Sequence, residues 1–339
     1  MSPEQWMEVR PEGLYCVPAD AFVDPHMPVP RAIVTHGHAD HARSGHGAVF
    51  ATPETLSIMR TRYTDEAVAG GVALAYHQQV DLANGVRLWL APAGHILGSA
   101  QAVLEYGGTR IVISGDYKRH ADPTCVPFEV VPADVFVTEA TFALPVFTHP
   151  PIAHEIDKLL RSVATLRDRC HLVGVYALGK CQRLMLALRA AGYDETLHVH
   201  GALVKLTELY EQLGHDFGSW KPVADLSPGD RDALRGQIVL CPPSALADRW
   251  SRRLPDPLPA MASGWMQIRA RVRQRRAEIP LIVSDHADWN DLIQTAVDTG
   301  ARDVWITHGR VEALEHALKQ RGIRAKALNL IGRDEEDAQ

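Results

Sequence analysis

Cysteine is sparse and never paired along the chain. The five residues, Cys16, Cys125, Cys170, Cys181 and Cys241, are scattered with no Cys-x-x-Cys step. That spacing argues against a disulfide framework or a cysteine zinc site, and a reducing compartment fits it best. No stretch approaches the ~20 apolar residues needed to cross a bilayer. The first ten residues carry Glu4, Trp6 and Glu8 in place of a secretion signal's basic start and apolar run. A soluble, unexported, cytoplasmic protein with no membrane partner is expected. A basic excess is missing too: 35 Lys and Arg stand against 41 Asp and Glu, a net charge of −6. No global field draws in a polyanion, so any nucleic-acid contact must be local. There is neither a fixed-period repeat nor a low-complexity tract, which excludes solenoids and arrays.

What the chain does have is apolar material and histidine. Hydrophobic residues make up 46% of the 339, enough for one large core or for two domains sharing a cleft. Up to about residue 148, short apolar runs alternate with turn residues in the manner of β-strands. The clearest are 31–35, 86–90 and 135–138, with 102–106 and 109–113 flanking Gly107-Gly108, a dipeptide suited to a tight hairpin. These strands end beside His36, His95, Glu139 and Asp116. From about Pro150 the texture changes: 152–166, 182–190 and 202–213 read as helices, and 171–175, 197–200 and 237–241 as strands. Residues 220–235 read as a polar connection. Strand-like 281–284 and 303–307 then lead to His286 and His308. The expectation is a first domain over 1–148, an inserted domain over 149–276 and a return segment over 277–339.

Seventeen histidines are present, and His36-Gly37-His38-Ala39-Asp40-His41 is the strongest signal among them. Residues at i and i+2 leaving a strand can put two imidazoles on one metal, while the carboxylate and imidazole at i+4 and i+5 curl round to a second. Gly37 lets the backbone fold closely. A polar surface loop is the plain alternative, but it leaves four ligand-type residues in six positions without a structural use. His46, His77, His120, His149, His198, His200 and His215 are read as structural or surface residues.

The run resembles the His-x-His-x-Asp-His signature of the metallo-β-lactamase superfamily. Asp24, in Phe22-Val23-Asp24-Pro25, resembles the first motif, an acid that braces the metal loop. Gly94-His95-Ile96-Leu97-Gly98-Ser99 is similar to the third motif and Ser114-Gly115-Asp116-Tyr117 to the fourth. Thr138-Glu139-Ala140-Thr141-Phe142, Ser284-Asp285-His286-Ala287-Asp288 and Thr307-His308-Gly309 resemble motifs A, B and C of the β-CASP branch, the nucleic-acid-processing group. The resemblance implies an α/β protein, a metallo-β-lactamase αββα sandwich with an inserted α/β β-CASP domain. It implies two divalent cations, zinc or manganese. His36, His38 and His95 would hold the first, Asp40, His41 and His308 the second, and Asp116 would be shared. Hydroxide held between two cations would cut a phosphodiester. Asp40 would belong to the catalytic set, with His286 as general acid supported by Glu139.

Met261-Ala262-Ser263-Gly264-Trp265 resembles a Gly-Trp motif of the Artemis-like nucleases, and Tyr176-Ala177-Leu178-Gly179-Lys180 a segment that approaches a terminal phosphate. Lys180, Ser263 and Gly264 are therefore expected to bind phosphate. His308 departs from the Artemis-like pattern, which commonly carries a non-ligand there, and sits nearer the RNA-processing one. Along its whole length the chain is similar to bacterial exonucleases described as DNA-ligase-associated. That implies a 5′ to 3′ exonuclease on 5′-phosphorylated DNA in repair, monomeric, working beside a DNA ligase and a helicase. The rivals are an RNA-processing nuclease of the RNase J or cleavage-endonuclease type and a non-catalytic nucleic-acid-binding subunit, which usually loses ligands that this chain keeps. Arg269, Arg271, Arg273, Arg275 and Arg276 put five arginines in eight residues. If the stretch is helical, Arg269, Arg273 and Arg276 share a face that suits a phosphate backbone or plain solvation.

Overall fold

A computed structural model describes residues 2–307 and 309–328, the side chains of 66, 67, 228 and 229 excepted. The chain divides into two compact units. Of the described residues, one takes 2–148, 286–307 and 309–328 and the other is His149–Asp285.

Two sheets face each other in the first unit. One runs Met7–Arg10, Gly13–Cys16, Ala21–Val23, Arg31–Ile33, Ala48–Ala51, Gly71–Ala73 in spatial order, antiparallel at its start and parallel from Ala21 onward. The other runs Arg324–Ala327, Asp303–Ile306, Val135–Thr138, Thr109–Ile113, Ala100–Tyr106, Arg87–Pro92, Val80–Asp81, with parallel pairs first and antiparallel pairs after Thr109–Ile113. Thr109 pairs with Tyr106 across the Gly107-Gly108 turn, whose φ angles are +57° and +78°.

Side chains alternate between the faces of a strand, and this period sorts the core. Leu88, Leu90, Ile111, Val135 and Val137 pack between the sheets against Leu14, Val23 and Ile33. Their neighbours Val103, Val112 and Phe136 face outward, under Leu292 and Ala296 of the helix Trp289–Asp298 and Leu314 and Leu318 of the helix Val311–Lys319. On the outside of the first sheet, Ala32, Val49 and Ala51 meet Leu56 and Met59 of the helix Pro53–Arg62. The layers are helix, sheet, sheet, helix, the αββα sandwich. Each large side chain buried in the middle layer contributes roughly 1.5–3 kcal/mol.

The second unit is built on a parallel sheet in the order Trp220–Pro222, Leu197–Val199, Ile238–Cys241, Cys170–Gly174, Pro257–Ala262, Ile279–Leu281. Helices Ile152–Thr165, Lys180–Ala190 and Gly201–Gln212 alternate with its strands. Two sequence expectations change here. Trp220–Pro222, read as connection, is an edge strand that pairs with Leu197–Val199. Residues 277–285, read as the start of the return segment, group with the second unit. The cause is backbone pairing: Ile279–Leu281 lies parallel to Pro257–Ala262, with Ala260 opposite Ile279. Among the described residues no helix is long and apolar enough to cross a membrane.

Candidate metal centre

The first unit gathers its histidines and acids where strands end. His36 follows Arg31–Ile33, Asp116 follows Thr109–Ile113, Glu139 follows Val135–Thr138, and His95 sits on the turn between Arg87–Pro92 and Ala100–Tyr106. The backbone N–H of Ala100 donates to the Thr35 carbonyl at 2.8 Å, tying the His95 turn to the His36 loop. Ser99 shapes that turn, its Oγ accepting the N–H groups of His95 at 3.0 Å and Ile96 at 3.2 Å.

Asp24 supports the loop from beneath. It is buried, adopts a left-handed φ of +45°, and accepts the Thr35 N–H and the Thr35 hydroxyl, each at 2.7 Å. Thr35 Oγ1 lies 3.1 Å from His36 Nδ1, and His41 Nδ1 lies 2.8 Å from Asp24 Oδ2. Because the Thr35 hydroxyl donates to Asp24, its oxygen is free to accept a hydrogen bond from His36 Nδ1–H, and Asp24 accepts one from His41 Nδ1–H. Both Nε2 atoms are left with lone pairs directed into the site.

Those lone pairs converge. His38 Nδ1 stands 3.2 Å from His36 Nε2 and 3.0 Å from His95 Nε2. Tetrahedral nitrogen ligands about 2.0–2.1 Å from a zinc ion stand about 3.3 Å from one another, so the spacing fits a shared cation. Asp116 Oδ2 lies 3.3 Å from His36 Nε2, 3.4 Å from His41 Nε2 and 3.8 Å from His95 Nε2. An imidazole lone pair facing a carboxylate oxygen is repulsive unless a proton or a cation lies between them. Burial disfavours the proton: it pushes His36 down to about 4, aided by neighbouring His41, and holds His95 well below the ordinary histidine range, aided by His286. Burial alone would raise Asp116, but His41 and His36 outweigh it and hold the carboxyl well below its usual range. Imidazoles of His36 and His95 kept neutral by burial beside an ionised Asp116 form, with His38, a donor set that fits a divalent cation, and His36, His38, His95 and Asp116 could hold one.

Asp40 and His41 adjoin this group, the His41 ring lying 4.1 Å from that of His36. His41 Nε2 is 3.4 Å from Asp40 Oδ2. Burial opposes the Asp40 charge, but His41 prevails and lowers its carboxyl. His308, expected to complete this group, lies outside the described residues. Glu139 and His286 form a buried pair, Oε2 to Nδ1 at 2.9 Å, and Glu139 Oε1 accepts the Tyr117 N–H at 2.8 Å. Burial raises Glu139, against the pull of His286. With Asp116 this pair makes a second group able to hold a cation, and the His286 ring lies 4.6 Å from that of His95.

The expected phosphate residues lie in the second unit. Lys180 and Ser263 follow the carboxyl ends of the neighbouring parallel strands Cys170–Gly174 and Pro257–Ala262, an edge where α/β sheets commonly bind ligands. Lys180 is buried, with Nζ 3.3 Å from Asp285 and 4.4 Å above the Tyr176 ring. Ser263 Oγ accepts the Trp265 N–H at 3.3 Å, and Gly264 opens the following turn. Arg183, with no signal in the sequence, also reaches Asp285, at 3.2 Å. Thr35 and Ser99, which order His36 and the His95 turn, carry no separate signal in the sequence.

No protein-family profile matches the chain. A probable DNA ligase of Opitutus terrae is 31% identical over 96% of this chain and 31% of its own length. Endoribonuclease ysh1 of Aspergillus fumigatus is 28% identical over 52% of this chain and 24% of its own length. Endoribonuclease YSH1 of Mycosarcoma maydis is 30% identical over 46% and 22%. The chain thus spans about a third or less of these relatives. A crystal structure of an Enterococcus faecalis protein of unknown function superposes with a TM-score of 0.58 over 91% of this chain and 80% of that one, at 11% identity, a likeness of fold alone.

Proposed function

Because this chain belongs to the metallo-β-lactamase superfamily, in its β-CASP branch, we propose that it is a metal-dependent nuclease, and specifically a 5′ to 3′ DNA exonuclease acting on 5′-phosphorylated ends in repair. The observation that carries the reading is the convergence of His36, His38 and His95 nitrogens beside Asp116, with the Glu139–His286 pair in reach of the same carboxylate. Divalent cations at such a centre lower the pKa of water and neutralise the charge that builds on phosphate oxygens. His36, His38, His95 and Asp116 would hold one; Asp40, His41, the shared Asp116 and His308 would hold a second.

The remaining work falls to the chain's own groups. Glu139 fixes the His286 ring by accepting a hydrogen bond from Nδ1–H at 2.9 Å, so that the imidazolium can give its Nε2 proton to the leaving oxygen and remain as neutral imidazole. Lys180, Ser263 and Gly264 are assigned to the terminal phosphate, which would restrict cutting to ends. DNA is favoured because the likeness to a probable DNA ligase runs over nearly the whole chain. The endoribonuclease likeness covers about half, and it supports a second reading, an RNA-processing nuclease on the same centre. We assign zinc or manganese as the cation and the cytoplasm as the compartment, with a DNA ligase and a helicase as companions of a monomer.

One assay tests this. Matched end-labelled DNA and RNA strands, with and without a 5′-phosphate, are incubated with zinc, with manganese and with excess chelator. Stepwise loss of nucleotides from phosphorylated DNA in metal alone is expected. Equal cutting under chelator sinks the metal reading, and preference for RNA moves the assignment to the second one.

A further inference from the structure

In a chain of net charge −6, residues 248–278 hold eight arginines against three acids, Asp248, Asp256 and Glu278, and no lysine. The parallel sheet of the second unit explains how they come together. The crossover from Ile238–Cys241 to Pro257–Ala262 carries Arg249, Arg252 and Arg253. The next, from Pro257–Ala262 to Ile279–Leu281, carries the helix Arg269–Arg275 and Arg276. Both crossovers cover the same face of the sheet: Leu246, Trp250 and Leu254 from the first and Met266 and Val272 from the second pack into one cluster over Cys170, Leu172, Val239, Cys241 and Met261. Two separate sequence clusters therefore become neighbours on one surface. The helix ends at Arg275, with Arg273 in its last turn, and Arg276 lies beyond it in a left-handed conformation, φ +51°. The helical face expected from the sequence is thus Arg269 and Arg273, with Arg276 set by the cap.

Six of these side chains, Arg249, Arg252, Arg253, Arg269, Arg273 and Arg276, are exposed, and none has an ion pair among the described residues. Two of the three acids are turned away from them: Asp256 and Glu278 pair with Arg169 at 3.3 and 2.8 Å. Exposed arginines clustered without carboxylates repel one another, a cost that a polyanion removes. An all-arginine set favours phosphate, whose oxygens the guanidinium fork matches bidentately. Half-buried Trp250 and Trp265 lie among them, Trp265 beneath Arg271 at 5.5 Å, as in surfaces that hold single strands.

We propose that this arginine surface of the second unit, formed by the crossovers 242–256 and 263–278, binds the sugar-phosphate backbone of a single nucleic-acid strand without regard to sequence. It rests on the nuclease reading above and adds where the strand is held. The contacts are electrostatic, so affinity falls with salt at about 0.7 log units per log unit of salt for each phosphate neutralised.

The test uses the full chain and a fluorescent mixed-sequence strand of about 30 nucleotides, read by anisotropy across a salt series. Arg269→Gln, Arg273→Gln and Arg276→Gln together should weaken binding at least tenfold and flatten the salt slope by about 2. The corresponding lysine triple should keep the slope, separating charge from any loss of fold. Hydrolysis of bis(p-nitrophenyl) phosphate, too small to reach the surface, should not change. Unchanged strand affinity and slope in the glutamine triple overturns the proposal even if the wild type cuts DNA. So does loss of binding to phosphatidylserine vesicles with strand binding intact. A wild type that binds strands through these arginines yet hydrolyses none overturns the nuclease reading and leaves the surface standing.

Discussion

At the scale of single residues, the centre depends on which atoms carry lone pairs. Asp24 and Thr35 set the tautomers of His41 and His36 through bonds of 2.7 to 3.1 Å. If His38 and Asp40 are ligands as proposed, His38→Ala and Asp40→Ala should each cut nuclease activity by roughly a hundredfold or more while circular dichroism stays that of the wild type. Wild-type rates in either would refute the ligand assignment. His286→Ala should slow cleavage by about 10²–10⁴-fold with bound metal, counted by atomic emission, unchanged; loss of metal would make His286 a ligand. Glu139→Gln gives the sign of the coupling. An ionised Glu139 stabilises protonated His286, so with glutamine the fall in rate at alkaline pH should begin at lower pH. A pH–rate profile of unchanged shape would leave Glu139 a purely structural residue.

At the scale of elements, the loops that carry ligands are held by close approaches that only small residues allow. Gly115, just before Asp116, has φ +56°, and an added Cβ would lie 2.5 Å from Thr35 Oγ1. Gly115→Ala should therefore strain the turn and press on the residue that orders both Asp24 and His36. A loss of about 1 kcal/mol or more is expected in thermal unfolding, together with weaker metal binding; a variant equal to wild type in both would show that the turn has slack. Gly37 tells a similar story without a special φ, since a Cβ there would meet Ile58 Cγ2 at 2.5 Å. The helix Pro53–Arg62 that supplies Ile58 thus sets how closely the His36 loop folds.

At the scale of the molecule, cation binding and stability are linked. A cation that binds the folded centre and not the unfolded chain stabilises by about 2.7 kcal/mol at a concentration a hundred times its dissociation constant. Chelation should lower the unfolding temperature, and restoring zinc or manganese should recover it in a concentration-dependent way. An unfolding temperature indifferent to chelator would mean that the buried imidazoles are satisfied without metal.

Much of this protein was legible in the sequence because its signals are local. The strands 109–113 and 135–138 appear with the expected bounds, since alternation and glycine turns are properties of short windows. The His36–His41 run was equally plain. Other elements were not: Ala21–Val23 and Gly71–Ala73 are three residues long, too short for a period, and Pro53–Arg62 lacks an apolar stripe. Trp220–Pro222 and Ile279–Leu281 became strands only through partners in the parallel sheet. Composition and spacing encode donors and periodicity, so the residue types able to hold cations and the presence of two α/β units could be read from the chain alone. Only the tertiary structure decided which nitrogens face one another, that Asp24 orients two imidazoles, and that two arginine clusters share a face, because those depend on chain segments brought together by sheet pairing and burial.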